Sequence, residues 1–126
     1  MAYRTEGGRY PIREWYESED EAVQADFDAI LTVLRDTRNW YGRKDIHELT
    51  RRHKGLWEIR FAIDRVRYRP VGFMLPALDQ SRFILLLGCK KPERGSYIPQ
   101  DAFDQALELR RLFLDEGRGT VHEHIF

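Results

Sequence analysis

The chain has 126 residues, of which 42% are hydrophobic, and it carries equal numbers of acidic and basic side chains. This length and apolar content predict a single domain, 1–126, whose one core needs neither a disulfide nor a metal ion. The lone Cys89 excludes an internal disulfide, and the zero net charge gives no reason by itself to expect a polyanionic partner. No stretch has the length of a membrane span and the N-terminus lacks an apolar leader, so we expect a cytoplasmic protein without a membrane partner.

The charges are unevenly distributed along the neutral chain. Eight acids and one Arg lie between Glu14 and Thr37, whereas ten bases and four acids lie between Arg38 and Pro70. A basic half of this kind can bind phosphates, although charges on helices and strands more often form a solvated face. The distribution therefore points to the middle of the chain as the candidate functional region.

The N-terminal third predicts a strand followed by a long helix. Residues Tyr10–Tyr16 alternate enough for a short strand, with Pro11 near its start. Ser18 and Glu21 have capping-box spacing, so a helix should begin there and run to about Arg38. Its apolar stripe consists of Val23, Phe27, Ile30, Leu31 and Leu34.

A second, shorter helix is predicted over Asp45–His53. Ile46, Leu49 and His53 would face inward, and Lys54-Gly55 would stop this helix. Residues 18–54 are thus expected to form a helical hairpin that covers a sheet.

Three antiparallel strands are predicted next, with arginines on one face of the first two. Leu56–Ile63 alternates, so that Arg60 points away from the apolar side chains. Asp64 and Arg65 should form the turn, and the return strand places Arg67 and Arg69 on one face. The third strand, 82–88, is almost wholly apolar, which is typical of a strand covered on both faces; Lys90 and Lys91 follow it.

A last helix is predicted from Pro99, as a first-turn proline, to about Glu116. Residues 117–126 should form a loosely held tail, which leaves 10–115 as the core of the domain. The predicted class is α+β, with a small, curved, mainly antiparallel sheet covered by an N-terminal helical hairpin and a C-terminal helix. The element order would be β-α-α-β-β-β-α.

Several residues in this layout resemble the RelE/ParE superfamily of toxins, and most closely its HigB-like, phage-derived branch. The likeness rests on Leu56–Arg60 (LWEIR), Tyr68–Arg69, an apolar strand, the pair Lys90–Lys91, and Pro99 before a helix. It covers residues 10 to 115. By position, Arg60, Arg69 and the lysine pair match cationic residues of that family's pattern.

The resemblance implies the toxin of a type II toxin–antitoxin system, which uses no cofactor and no metal ion. Such a toxin is an endoribonuclease that cuts messenger RNA on the ribosome, has a small DNA-binding protein antitoxin as its partner, and can form a homodimer. Some relatives poison DNA gyrase instead. The neutral charge, Gly88-Cys89 where relatives carry His-Gly-Phe, and Pro70, Gly72 and Pro76 in the strand region favour an alternative: a non-catalytic binder of gyrase or of an antitoxin alone.

Seven side chains are candidates for this chemistry, which requires a base for the 2′-hydroxyl, charge stabilisation at the phosphate and an acid for the leaving oxygen. Arginine forks bind phosphate bidentately, lysine binds a phosphate or transfers a proton, and histidine is a base near neutral pH. The predicted catalytic residues are Arg60, Arg69, Lys91 and His53, and the predicted RNA-phosphate ligands are Arg67, Lys90 and Lys54.

Simpler interpretations of the same residues remain open. Arg60 could pair with an acid across the sheet, the two lysines could be surface charges, and His53 could be a half-buried helix residue. In the tail, His122 and His124 are spaced i, i+2 with no further ligand nearby, so no metal site is predicted.

Overall fold

A computed structural model describes residues 2–3, 10–75, 82–115 and 121–122 of the chain. In these residues the fold is α+β, with three α-helices and two sheets in which all but one of the strand pairs are antiparallel. The helices are α1 (Pro11–Ser18), α2 (Glu21–Arg35) and α3 (Ala102–Asp115). None of them combines the length and the apolar character that a bilayer-spanning helix needs.

Nine strands form the two sheets. In chain order they are β1 (Ala2–Tyr3), β2 (Ile46–Glu48), β3 (Leu56–Ile59), β4 (Phe61–Ile63), β5 (Val66–Tyr68), β6 (Val71–Leu75), β7 (Arg82–Leu87), β8 (Lys90–Lys91) and β9 (Val121–His122). The six-stranded sheet has the order β2-β3-β6-β7-β1-β9, and the three-stranded sheet has the order β4-β5-β8. The pair β1–β7 is parallel.

The two sheets are built from the same three chain segments, each of which runs from one sheet into the other. The first segment crosses at Arg60 between β3 and β4, the second at Arg69-Pro70 between β5 and β6, and the third at Gly88-Cys89 between β7 and β8. Hydrogen bonds from Ile59 N to the Pro70 carbonyl and from Arg69 N to the Cys89 carbonyl, both 2.8 Å, join the segments at this junction between the sheets. These segments are the three predicted strands, with β6 as an unpredicted continuation of the second.

The predicted turn at Asp64 and Arg65 is confirmed. Ile63 pairs with Val66, so the connection has two residues, and both have positive φ, 52° and 69°. This is the conformation of a type I′ hairpin turn, whose twist matches that of the flanking strands. Neither residue is glycine, so the turn retains local backbone strain.

The predicted strand over Tyr10–Tyr16 is wrong, because this segment is α1. Pro11 occupies the first helical turn, where its missing N–H is not needed. Ile12 and Tyr16, four residues apart, are buried on one side of the helix against the sheet. A seven-residue segment fits both periodicities, and packing of the i, i+4 pair decides between them.

The start of α2 also differs from the prediction. Asp20, rather than Ser18, caps the helix, since its side chain accepts a hydrogen bond from Val23 N at 3.1 Å. Ser18 ends α1 and donates to the Trp15 carbonyl. The long helix α2 therefore starts at Glu21, after the separate short helix α1, and it ends at Arg35.

The predicted helix over Asp45–His53 is wrong as well. Ile46–Glu48 is the edge strand β2, which pairs with β3 so that Ile46 lies opposite Ile59, and Arg51–His53 is a single 3₁₀ turn. Ile46 and Leu49 are spaced as in a helix, but this segment forms a strand because pairing with β3 supplies backbone hydrogen bonds. The two N-terminal helices thus lie within 11–35 and not within 18–54.

Apolar side chains fill both faces of the large sheet. One cluster, under α1 and α2, contains Ile12, Tyr16, Phe27, Leu34, Ile46, Trp57, Ile59 and Leu85. The other, under α3, contains Leu56, Val71, Phe73, Ile84, Leu86, Leu87, Cys89, Ala102, Ala106 and Phe113. The prediction that the apolar third strand is covered on both faces is confirmed.

The C-terminal helix is confirmed, with a later start. Pro99 lies three residues before Ala102 and accepts a turn hydrogen bond from Ala102 N, so it is not in the first helical turn. In the predicted tail, Val121–His122 pairs with β1, whereas 117–120 and His124 lie outside the described residues.

Gly88 allows α1 to dock on the sheet, and it provides a stability test. A Cβ atom at this position would lie 2.0 Å from the Trp15 ring. Because an overpacked core typically costs about 1–3 kcal/mol, we expect Gly88→Ala to lower the free energy of unfolding by about that amount in denaturant titrations.

The double variant Gly88→Ala/Trp15→Leu is the matched control for this test. It should be less destabilised than the sum of its two single variants, because the smaller side chain makes room for the methyl group. Strictly additive losses would contradict the contact.

Candidate functional site

The strand register places several cations on one face, near the junction between the two sheets. Ala62 lies opposite Arg67, and Arg67 lies opposite Lys91, so the last two side chains are neighbours on one face of the small sheet. Arg60 and Arg69 lie at the junction itself, and alternation along their segments places them on the same face. We call Arg60, Arg67, Arg69 and Lys91 the cationic cluster.

Arg60 is held by a buried acid. Its Nε donates to Oε1 of Glu58 at 2.8 Å, and Glu58 is only 3% exposed although the Arg60 side chain is 41% exposed. Arg60 therefore pairs with an acid, as the simpler interpretation expects, but this acid belongs to its own chain segment and not to a neighbouring strand. Among the described residues, Oε2 of Glu58 has no hydrogen-bond partner.

Arg69 is held by main-chain carbonyls. Its Nη1 donates to the Tyr68 carbonyl at 2.8 Å and to the Phe61 carbonyl at 3.3 Å. Burial lowers the pKa of its guanidinium, and the neighbouring charges of Arg60 and Arg67 lower it further while Glu58 raises it. A guanidinium remains charged at any physiological pH, so Arg69 is a fixed positive charge in a partly desolvated place.

Lys91 lies over an aromatic ring. Its Nζ is 5.7 Å from the centroid of Tyr97, within the range of a cation–π interaction. Burial is the largest of the influences that raise the pKa of the Tyr97 hydroxyl. The contact with Lys91 places Tyr97 beside the cationic cluster.

Cys89 lies beneath the cluster as an unreactive thiol. It is fully buried, and its Sγ donates to the Arg69 carbonyl at 2.8 Å. Burial raises the pKa of the thiol to about 12. This bond ties the third segment to the second at the junction between the sheets.

Lys90 points to the opposite face from Lys91. It lies across from the buried Tyr68, and its Nζ forms an ion pair of 3.0 Å with Glu19, whose side chain is 8% exposed. Lys90 thus joins the β8 strand to the junction of α1 and α2. It does not contribute to the cationic cluster.

His53 lies apart from the cluster, in the 3₁₀ turn and not in a helix. Its Nε2 is 2.9 Å from Oδ1 of Asp104, and Arg52 donates to both oxygens of the same carboxylate. The hydrogen bond with His53 is the main reason that the pKa of Asp104 is lowered, and Arg52 adds to the effect. Gln100, Asp101 and Phe103 complete a cavity of about 120 Å³ around these groups.

Two aromatic rings separate His53 from the cluster. The His53 ring meets Phe103 at 5.6 Å between centroids, and Phe103 meets Tyr97 at 5.1 Å. Lys54, the other predicted ligand of this region, has an exposed side chain, and its carbonyl accepts a bond from Arg110. Of the seven predicted residues, the structure brings together Arg60, Arg67, Arg69 and Lys91.

Glu58 is the member of the site that the list of candidate residues omits. It stands two residues before Arg60 and shares its face of the strand by alternation. An acid two residues before a candidate arginine is the available signal, but the sequence does not show that this acid is buried.

Comparisons of the chain with models of protein families, with curated proteins and with solved structures find no match. Within the described residues, no three His, Cys, Asp or Glu side chains are grouped in a way that could hold a metal ion. The chemistry of the site has to be argued from its own side chains.

The raised pKa of Cys89 predicts a loss of stability in alkali. The unfolded thiol loses its proton near its ordinary pKa of 9.0, whereas the folded thiol keeps it to about 12. The free energy of unfolding should therefore fall as the pH rises through this window, by up to about 1.4 kcal/mol per pH unit for one proton.

Denaturant titrations at several pH values would measure the slope, with Cys89→Ala as the control. Tyr16, whose pKa is raised from 10.0 to about 12, remains in that variant, so the difference should be clearest between pH 9 and 10. Equal slopes for both proteins in that interval would contradict the assignment.

Proposed function

We propose that this protein is the toxin of a type II toxin–antitoxin pair, of the RelE/ParE kind and HigB-like, and that it cleaves messenger RNA on the ribosome without a metal ion. The observation that carries the proposal is the cationic cluster. Four positive side chains share one face by strand alternation at the junction between the sheets, and Tyr97 lies beside one of them, Lys91. Guanidinium and ammonium groups placed on one face can bind phosphate.

The order of the elements supports the proposal. With the three segments counted as single strands, the described residues have the order β1, α1, α2, β2, three strands, α3 and β9. Without the short edge strands β2 and β9 this is β-α-α-β-β-β-α, as in the predicted order, although the first strand and the two helices occupy other residues than predicted. The strands β2 and β9 are additions at the two edges of the large sheet.

The side chains of the cluster have complementary roles in this proposal. Arg60 and Arg69 stabilise the charge that develops on the phosphate when the 2′-hydroxyl attacks it. The Lys91 ammonium and the Tyr97 phenol are the nearby proton donors for the leaving oxygen. Arg67, opposite Lys91, binds a flanking phosphate.

His53 does not act on the phosphate that the cluster binds. The 2′-hydroxyl lies next to the phosphate that it attacks, whereas the rings of Phe103 and Tyr97 stand between the imidazole and Lys91. Asp104 holds the imidazole through Nε2. In this proposal solvent water takes the proton of the 2′-hydroxyl, and His53 lies outside the reacting groups.

The proposal predicts which substitutions abolish activity. Induced expression of the wild type should arrest growth and deplete messenger RNA, whereas Arg60→Ala, Arg69→Ala and Lys91→Ala should not. Loss of one group that stabilises transition-state charge typically lowers the rate about 100-fold, which ribosome-dependent cleavage by purified protein would measure.

Arg65→Ala is the matched control, because Arg65 is an exposed arginine at the hairpin tip, 3.6 Å from Glu93. It should cleave within about twofold of the wild-type rate, as expected for a surface charge outside the site. Equal arrest by all four variants would count against the cluster as the active site.

A second candidate function is non-catalytic binding of DNA gyrase or of an antitoxin. It is favoured by the ion pairs Arg60–Glu58 and Lys90–Glu19 and by the hydrogen bond between His53 and Asp104, which together engage three of the seven predicted residues. Purified protein that inhibits gyrase supercoiling and leaves ribosome-bound RNA intact would select this function.

A further inference from the structure

Glu58 is a buried carboxylate in an unusual position. It lies on β3 opposite the fully buried Val71 and two residues from the fully buried Leu56, and Arg60 is its hydrogen-bonded partner. Only one of its two oxygens is hydrogen-bonded within the described part of the chain. A buried acid with one oxygen unpaired serves stability poorly, because the desolvation of that oxygen is not compensated.

The geometry of the pair with Arg60 shows what the acid does for the arginine. Glu58 accepts from Nε, at the inner edge of the guanidinium, and the pair is not bidentate. The Nη groups have no hydrogen-bond partner among the described residues. Since a guanidinium is planar and rigid, fixing its Nε–H also fixes the direction in which the Nη groups point.

Arg60 has no other anchor comparable to this one. Its main chain donates to the Asp45 carbonyl, which fixes the strand but not the side chain. Arg69, in contrast, is held by two carbonyls. The orientation of Arg60 therefore depends on Glu58, whereas that of Arg69 does not depend on a carboxylate contact.

We propose that Glu58 is a positioning residue, which holds Arg60 by Nε so that its Nη groups face the anion that the cluster binds. This inference rests on the proposed function for the identity of the anion, a phosphate of RNA. Glu58 itself does not touch the substrate, because its side chain is buried. It acts through Arg60, and its ionised carboxylate is offset by that guanidinium.

The first test reads the orientation of Arg60 without any substrate. Heteronuclear NMR spectra of arginine Nε–H groups should contain a signal, assigned by its loss in Arg60→Ala, that is protected from exchange with water. In Glu58→Gln this signal should exchange about tenfold faster, because a charge-assisted hydrogen bond becomes a weaker neutral one. Glu93→Gln, which removes an exposed acid near the hairpin tip, should leave it unchanged.

The second test is a double-mutant cycle on RNA binding, using a single-stranded oligonucleotide whose 2′-hydroxyls are methylated so that it cannot be cleaved. Glu58→Gln should raise the Kd at least about threefold when Arg60 is present, because Arg60 is no longer held in its orientation. In an Arg60→Ala background the same substitution should change the Kd by much less. Glu93→Gln should have the same small effect in both backgrounds. Circular dichroism would establish that each variant is folded.

A structural role alone gives a different pattern. If Glu58 only supported the fold, Glu58→Gln would alter RNA binding equally with and without Arg60, and the Nε–H signal would keep its protection; either result would overturn the proposal. A wild-type protein that binds the oligonucleotide with the expected coupling but cleaves no RNA would overturn the nuclease and leave the role of Glu58 intact. If the wild type bound no RNA, the proposed function would fail and the Nε–H signal would decide the role of Glu58.

Discussion

The backbone pairing of three strand segments continues from the large sheet into the small one, and the placement of the charged residues depends on that continuity. An unpaired buried N–H or carbonyl group at the junction between the sheets would cost free energy. Here Ile59 N bonds the Pro70 carbonyl, and Arg69 N bonds the Cys89 carbonyl, so the segments stay joined at the junction. The Cys89 thiol adds a third link, to the Arg69 carbonyl. Side chains next to the junction, from three separate parts of the sequence, are therefore brought to one place.

The central strands could be predicted from the sequence because alternation over eight residues and a two-residue turn are strong local signals. The same alternation placed Arg67 and Arg69 on one face and Tyr68 on the other, and the register agrees. The first helix and β2 could not be predicted in this way. Tyr10–Tyr16 and Asp45–His53 are short, their apolar residues fit more than one period, and packing against the sheet or pairing with β3 decides their structure.

The candidate site shows the same limit. Alternation along a strand predicts which arginines share a face, but it does not predict which of them pairs with an acid. The pairing of Lys90 with Glu19 depends on the junction of two helices, one of which the sequence assigned as a strand. Glu58 is only 3% exposed, which alternation along its strand does not predict. Charge pairing across distant segments is a tertiary property, and a neutral chain offers several partners for each cation.

Charge balance therefore operates locally in this protein. Glu19, between α1 and α2, pairs with Lys90, and Glu58 of β3 pairs with Arg60. Within the described residues, no ion pair is formed by Arg67, Arg69 or Lys91. The net charge of zero conceals a face of the small sheet on which positive charges predominate. Such a face attracts anions at short range, and salt would screen it.

The two adjacent lysines of β8 have a consequence for the accuracy of strand pairing. Because neighbouring residues of a strand point to opposite faces, one lysine serves each side of the small sheet. A slip of one residue that brings Lys90 opposite Arg67 would exchange them, so that each face of the small sheet would still carry an ammonium group. The doubled residue thus makes the charge of this edge insensitive to a slip in that direction.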